Sequence, residues 1–506
     1  MPRSGRQRVC LVLASAALYA AVIGSTYGAA LAWIALAPLL LAFAGATPAR
    51  GFGLGLLWGL VATLATGWWL PAMLERYFGV ATGSAWLALV GLGVVVDGLP
   101  YAAFGAWLAW CAPRRAAGPL AIGAAWGLAE LARTHAPIAN PFALLGYSQH
   151  GAVFAQVADL AGVYGVSSLL AAGNALLAAF FAPELAGGRP RRALALSALA
   201  VMAAFSYGEL RLAQTFGSGP ALRVALVQGA LARERHWDRS TRDANLARYL
   251  ELTRHAAAAA PELVFWPEFA VDFYLSEETL QRARLLDGVR AVGADVVLGG
   301  AEYAFEPDGT RYFNSVFLVD GNGHLHAERY DKQRLVPFAE YGPLGSWLRA
   351  DTAVYAPGTR AQLLDARALR IGAFICGEAL FPEVARALAQ AGAELLANPS
   401  NDYWFGAPEV AAQQLQVAAF RAIENRRYLV RATSTGISAV IDPHGRVIAR
   451  SHGNGAEIVT ARLRRSSAHT LYQRLGDGGV AAAALLALLP CLLARTRESH
   501  ALGGCP

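Results

Sequence analysis

Leu369–Glu378 reads LRIGAFICGE. Leu369–Ile375 has the β-branched and apolar composition of a strand, and it stops on a cysteine, Cys376. A helical pattern follows from about Pro382 to Ala391, so Cys376 lies between a buried strand and a helix. The same alternation extends in both directions. Leu222–Val227 (LRVALV), Leu263–Trp266 (LVFW), Asp295–Leu298, Glu394–Ala397 and Tyr428–Ala432 read as strands. Arg239–Ala258 and Pro408–Arg426 read as helices. Phe313–Val319 and His324–Tyr330 form an expected hairpin around Gly321–Gly323, and a last hairpin turns at Asp442–Gly445. Together these predict an α/β sandwich of about 250 residues.

The residues before this region have another character. Hydrophobic residues are 55% of the 506-residue chain and charged residues only 16%, against about 25% in soluble proteins. Met1–Thr215 holds 12 arginines and 6 acidic residues, leaving 31 basic and 30 acidic residues for the rest. The net charge of +7 therefore resides in the greasy part. Its arginines sit in short loops between apolar runs, which excludes a nucleic-acid-binding surface. Seven expected spans precede Thr215: Val9–Ile23, Tyr27–Ala44, Gly51–Leu70, Trp86–Ala112, Leu120–Ala132, Leu160–Phe181 and Ala193–Tyr207. An eighth covers Gly479–Ala494. With the N-terminus in the cytoplasm, nine arginines fall in cytoplasmic segments and three in the opposite loops. That orientation puts the region after the linker Thr215–Pro220 outside the cytoplasm and returns the C-terminal tail to it. Three domains are expected: residues 1–215, 216–476 and 477–506.

Five cysteines are present, of which only Cys376 lies in the α/β region, so that region cannot close a disulfide on itself. Lys332 is the only lysine in an arginine-rich chain. Lysine is a compact, tunable ammonium, whereas arginine holds its proton almost unconditionally. Three polar residues stand just past strand-like runs: Glu268 after LVFWP, Lys332 after HAERYD, and Cys376 after LRIGAFI. The carboxyl ends of strands are where sites form in α/β sheets. A cysteine nucleophile, a carboxylate base and an ammonium beside a developing oxyanion make an acyl-transfer set.

Phe265–Phe269 (FWPEF), Tyr330–Glu340 (YDKQRLVPFAE) and Phe374–Glu378 (FICGE) resemble the nitrilase, or carbon–nitrogen hydrolase, superfamily with its Glu-Lys-Cys triad. Preceded by seven spans and followed by one, they look specifically like the apolipoprotein N-acyltransferase family of the bacterial inner membrane. Gly146–Gln149 (GYSQ), Val227–Gly229 (VQG), His236–Asp238 (HWD), Asn398–Gly406 (NPSNDYWFG) and Arg431–Gly436 (RATSTG) agree with it. The resemblance implies a multi-span α-helical membrane domain of about eight transmembrane helices plus a nitrilase-like αββα sandwich. It implies an extracytoplasmic (periplasmic) catalytic domain, with both termini cytoplasmic. It implies transfer of an acyl chain from a phospholipid, through a thioester on Cys376, to the α-amino group of an apolipoprotein's S-diacylglyceryl-cysteine. Glu268 would be the general base and Lys332 the stabiliser of the tetrahedral intermediates. Glu340 would support them, with Glu378 and Trp237 at further positions that matter for activity. Two apolar stretches are expected to meet lipid: Leu335–Leu348, with Trp347, and Tyr403–Trp404–Phe405.

One departure stands out. Where the family motif reads Cys-Tyr-Glu, this chain has Cys376-Gly377-Glu378. The backbone N–H after the nucleophile is retained, while the ring that would shape the acyl pocket is gone. No cofactor, metal or nucleic acid is expected, and the protein is expected to be a monomer. Two other readings compete. A membrane-tethered nitrilase or amidase would share the triad and let water resolve the thioester. A transporter with a periplasmic domain would not need Cys376, but the spans hold few ionisable residues and no obvious inverted repeat.

Overall fold

The structure, a computed structural model, describes residues 3–24, 27–114, 116–231, 239–277, 279–307, 309–337, 340–341, 355–367, 369–453 and 455–502. It divides into two compact units, residues 1–75, 80–214 and 474–506, and residues 76–79 with 215–473.

The first unit is helical. Among the described residues, five helical segments are long and apolar enough to cross a membrane: Gly5–Ile23, Pro48–Thr66, Thr82–Cys111, Val153–Ala179 and Pro190–Leu212. Gly51, Gly55 and Gly59, spaced four residues apart, form a stripe against the helix around Gly98–Gly105. A Cβ on Gly55 would lie 2.2 Å from the Tyr101 carbonyl oxygen, so only glycine allows this approach. The expected second span is broken: Gly28–Leu31 and Ala37–Phe43 are separate helices. Asn174 satisfies the break. Its Oδ1 accepts from the Leu36 and Ala37 N–H groups at 2.8 and 3.1 Å, and its Nδ2 donates to the Ala32 carbonyl at 2.8 Å. Buried backbone at a helix break must find such partners. The expected fifth span is the 16-residue helix Pro119–Thr134, and the eighth falls in Leu471–Leu502, interrupted at Gly476. Asp97 and Glu130 are both buried, and Asp97 Oδ1 lies 3.1 Å from Arg133 Nε.

The second unit holds two six-stranded sheets. The strands are β1 (Ser218–Gln228), β2 (Leu263–Phe265), β3 (Asp295–Glu306), β4 (Gly309–Val319), β5 (Tyr330–Asp331), β6 (Leu363–Ala366), β7 (Leu369–Ala373), β8 (Leu395–Ser400), β9 (Tyr428–Thr433), β10 (Ala439–Ile441), β11 (Val447–Arg450) and β12 (Glu457–Arg465). One sheet runs β12-β1-β2-β3-β4-β5 and the other β11-β10-β9-β8-β7-β6. In each, three neighbouring strands are parallel, β1-β2-β3 and β7-β8-β9. Parallel strands buried on both faces read as unbroken apolar runs, as LVF of β2 does. The helix Arg239–Ala256 covers the first sheet: Trp266 stacks on Tyr249 at 5.1 Å and donates to Thr253 Oγ1 at 2.9 Å. The helices Pro382–Gln390 and Pro408–Asn425 bury their apolar faces against the second sheet.

Two differences from the sequence expectation bear on the site. First, β3 runs twelve residues rather than four and pairs with β4 in one long hairpin. Its GGAEYAFE segment lacks the apolar alternation that marks a strand. Second, of the expected His324–Tyr330 strand only Tyr330 lies in a sheet strand, β5, and Leu325 makes an isolated bridge to Val319.

Gly299 of β3 ties this ladder to the turn after β2. Its N–H donates to the Pro267 carbonyl at 3.1 Å, and its own carbonyl accepts from Ala270 N at 2.8 Å. A Cβ there would sit 2.6 Å from Glu268 Cα and 2.6 Å from Pro267 O, both backbone atoms that cannot rotate away. Gly299→Ala is therefore expected to destabilise the unit by about 1–3 kcal/mol, the usual range for overpacking, and to displace Glu268. Thermal melting checks this, and an unchanged melting temperature would contradict it.

Candidate active site

Glu268 leaves the end of β2 between Pro267 and Phe269, and Phe269 takes φ +50°. Such a left-handed non-glycine residue persists only when its surroundings hold it. Here β3 does so through Gly299. Lys332 follows β5. Its N–H donates to the Asn314 carbonyl of β4 at 2.8 Å, and its carbonyl accepts from Gly358 N at 2.8 Å. Cys376 follows β7 and starts the short 3₁₀ turn Cys376–Leu380, also with φ +50°. Asn398 of β8 braces it, donating from Nδ2 to the carbonyls of Phe374 at 2.9 Å and Cys376 at 3.3 Å. Asn398 Oδ1 in turn accepts from Arg431 of β9, which also donates to Asp402 Oδ1 at 2.6 Å.

The three polar residues converge. Lys332 is 1% exposed, and its Nζ donates to Glu340 Oε1 at 2.9 Å and to Glu268 Oε1 at 3.3 Å. Burial by itself pulls the ammonium's pKa down. The charges of Glu268 and Glu340 outweigh it and hold Lys332 well above the ordinary lysine range. The Cys376 thiol moves the same way for other reasons. Burial first, then the Glu268 carboxylate, push it up to about 12, against an opposing pull from Lys332. At neutral pH the sulfur therefore keeps its proton, and nucleophilic attack needs a base. Asn314 Nδ2 donates to both carboxylates, at 2.8 Å to Glu268 Oε1 and 2.9 Å to Glu340 Oε1.

The flanking loop is tied down from two sides. Glu340 Oε2 accepts from Val336 N at 2.8 Å. Glu378, fully buried, accepts from Gln333 N at 2.7 Å, Arg334 N at 2.9 Å and Ile375 N at 2.6 Å, and from the Tyr330 hydroxyl at 3.0 Å. Burial raises its carboxyl to about 7 against those donors. One carboxylate thus holds the segment after Lys332 and the residue before Cys376.

Residues 223–473 match the carbon-nitrogen hydrolase family, and residues 15–176 match the apolipoprotein N-acyltransferase N-terminal domain. An apolipoprotein N-acyltransferase of Geobacter metallireducens is 35% identical over 91% of this chain and 90% of its own. Those of Azotobacter vinelandii and Gloeobacter violaceus are 33% and 30% identical, over 94% and 92% of this chain and 92% and 90% of theirs. The chain belongs to the apolipoprotein N-acyltransferase family. The NitFhit protein of C. elegans, a solved structure, is 23% identical with a TM-score of 0.40, covering 50% of this chain and 62% of that one.

The acyltransferase thus carries a membrane-type helical unit and a nitrilase-like α/β unit. Among the residues singled out in its sequence, Glu268, Lys332, Cys376, Glu340 and Glu378 lie in one connected cluster. Trp237 and Trp347 lie outside the described residues. Tyr403, Trp404 and Phe405 form a short turn, Asp402–Phe405, and are half-buried rather than exposed. Tyr77 accounts for part of that cover: its hydroxyl donates to the Tyr403 carbonyl at 2.7 Å and its ring lies 5.0 Å from that of Trp404. At Gly377, a Cβ would meet among the described residues only Val336 Cγ2, at 4.0 Å. Tyr330, Asn398 and Arg431 open segments that carry the family resemblance but have no role assigned from sequence, and Asn314 stands in none of them, because each is a strand residue whose partners are distant in sequence.

A thiol held near 12 has a testable reactivity. Alkylation of Cys376 by iodoacetamide, read on its own peptide by mass spectrometry, should be slow at neutral pH and keep rising into the alkaline range. A plateau already reached at neutral pH would contradict the burial and charge balance described.

Proposed function

We propose that this acyltransferase moves an acyl chain from a phospholipid to the α-amino group of the N-terminal diacylglyceryl-cysteine of apolipoproteins, through a thioester on Cys376. The observation that carries the reading is the buried Lys332 ammonium shared by Glu268 and Glu340 beside a protonated thiol. In the first half-reaction Glu268 takes the thiol proton and the sulfur attacks the ester carbonyl carbon. The carbonyl oxygen gains negative charge, which Lys332 offsets in a site with little water to screen it. The C–O bond then breaks, and Glu268 returns the proton to the departing lysophospholipid alkoxide. In the second half-reaction the acceptor amine attacks the thioester and gives a proton to Glu268. The C–S bond breaks and the sulfur recovers that proton, leaving an amide. No external energy source is needed, because the amide is more stable than the ester.

Glu340 keeps Lys332 in place, and Glu378 holds the loop against the nucleophile. Trp237, Trp347, Tyr403, Trp404 and Phe405 are proposed to meet the lipid substrates. The helical unit supports a position in the bacterial inner membrane, and the arginine bias of its loops supports a periplasmic catalytic domain with both termini cytoplasmic. Residues 1–215, 216–476 and 477–506 are proposed as membrane domain, catalytic domain and C-terminal anchor, in a protein working as a monomer.

Purified protein given phospholipid alone should gain one acyl mass on Cys376, and hydroxylamine should remove it. Active protein that never carries this adduct would overturn the two-step scheme.

A further inference from the structure

Asn314 is wholly buried in the middle of β4, opposite Ala301 of β3. Its side-chain amide faces two carboxylates, with Nδ2 at 2.8 Å from Glu268 Oε1 and 2.9 Å from Glu340 Oε1. These are the same two oxygens that receive Lys332 Nζ. Two donors and two acceptors therefore close a four-membered ring of contacts, with nitrogen and oxygen alternating. The orientation of the amide follows from chemistry: an ionised carboxylate only accepts, so the NH₂ end must face the pair. That orientation has a consequence. Asn314 Oδ1 is buried without a hydrogen-bond partner among the described residues. Folded proteins rarely leave a buried carbonyl oxygen unsatisfied. A threonine or leucine at this place would fill the strand without an orphaned acceptor.

We propose that Asn314 is a positioning residue for acyl transfer. By giving one N–H to each carboxylate, it holds Glu268 Oε1 and Glu340 Oε1 fixed around a single ammonium. Two carboxylates and one lysine leave the cluster one negative charge in excess. A neutral double donor relieves that excess without adding a positive charge that would draw Glu268 away from its proton-accepting role. Asn314 also accepts the Lys332 backbone N–H at 2.8 Å, so one residue sets both the ammonium's backbone and its two partners. The titratable groups facing the ring are the Glu268 and Glu340 carboxylates, Lys332 from the loop after β5, and the Cys376 thiol after β7. Lys332 acts on Glu378, and Asp402 acts on the thiol.

The inference rests on Glu268 being the base, and the test separates the two. Full-length protein carrying Asn314→Leu is given phospholipid, and thioester formation is followed from mildly acidic to mildly alkaline pH, with the melting temperature measured alongside. Loss of a donor shared by the two carboxylates should move the acidic limb of the rate profile up in pH. The plateau rate should fall roughly ten- to a hundredfold, the scale of a small misplacement of a reacting group. Asn314→Ser keeps one donor, so its limb should fall between the wild type and the leucine variant. It also serves if the leucine variant does not fold. Limbs that coincide with wild type in the folded variants would overturn the inference, whatever the melting temperature does. Glu268→Gln is the companion measurement. If it forms the thioester at the wild-type rate, the base assignment fails and this inference falls with it. If it is inactive while the Asn314 limbs stay put, only the inference fails.

Discussion

A buried ammonium is tolerable only when opposite charge and hydrogen-bond acceptors surround it. Lys332, 1% exposed, meets that demand through Glu268 and Glu340, and much of the catalytic unit serves to keep those three together. The consequences reach the nucleophile. An ammonium between two carboxylates cannot offer its full charge to a nearby thiol, and burial with Glu268 keeps that thiol protonated. The site is therefore poised for coupled proton removal and attack rather than storing a ready thiolate. This differs from cysteine sites that lower the thiol pKa with an unshared cation or a helix N-terminus.

Backbone geometry makes the convergence possible. Glu268 and Cys376 each follow a parallel strand in a different sheet, and Lys332 follows the edge strand β5. Two of the turns are left-handed at non-glycine residues, Phe269 and Cys376 itself. Each is held by specific neighbours: Gly299 accepts no Cβ because it lies against Glu268, and Asn398 grips the Cys376 carbonyl. Glu378 couples the two sides, since its carboxylate ties the residue before Cys376 to the segment following Lys332. Strain of this kind is retained where it aims a reacting group.

Much of this was legible in the chain. LVFW and LRIGAFI announce buried parallel strands, and the polar residues that end them fall where α/β sheets build sites. A solitary lysine among many arginines drew notice because lysine alone offers a compact charge at that place. What escaped depends on contacts that no local pattern encodes. Strand β12, Glu457–Arg465, alternates weakly and carries four charged residues, yet it pairs along nearly all of β1. Asn314 looks like any polar strand residue until β2 and the Lys332 loop bring two carboxylates to it. The second membrane span reads as one apolar run, and only Asn174, far along the chain, makes its break affordable. Tyr403–Phe405 reads as an exposed lip, and Tyr77 half covers it.

In the proposed reaction both substrates are lipids. In that scheme a thioester formed from a bilayer lipid is useful only if an amine collects it before water does, and that preference would separate the enzyme from a tethered amidase with the same triad. Protein charged with a labelled acyl chain, freed of phospholipid and then given a diacylglyceryl-cysteine peptide, measures it directly. The label should leave Cys376 and reappear in amide linkage on the peptide's amino terminus, with little released when the peptide is withheld. Label lost as free fatty acid at the same rate with and without peptide would contradict acyl transfer through Cys376.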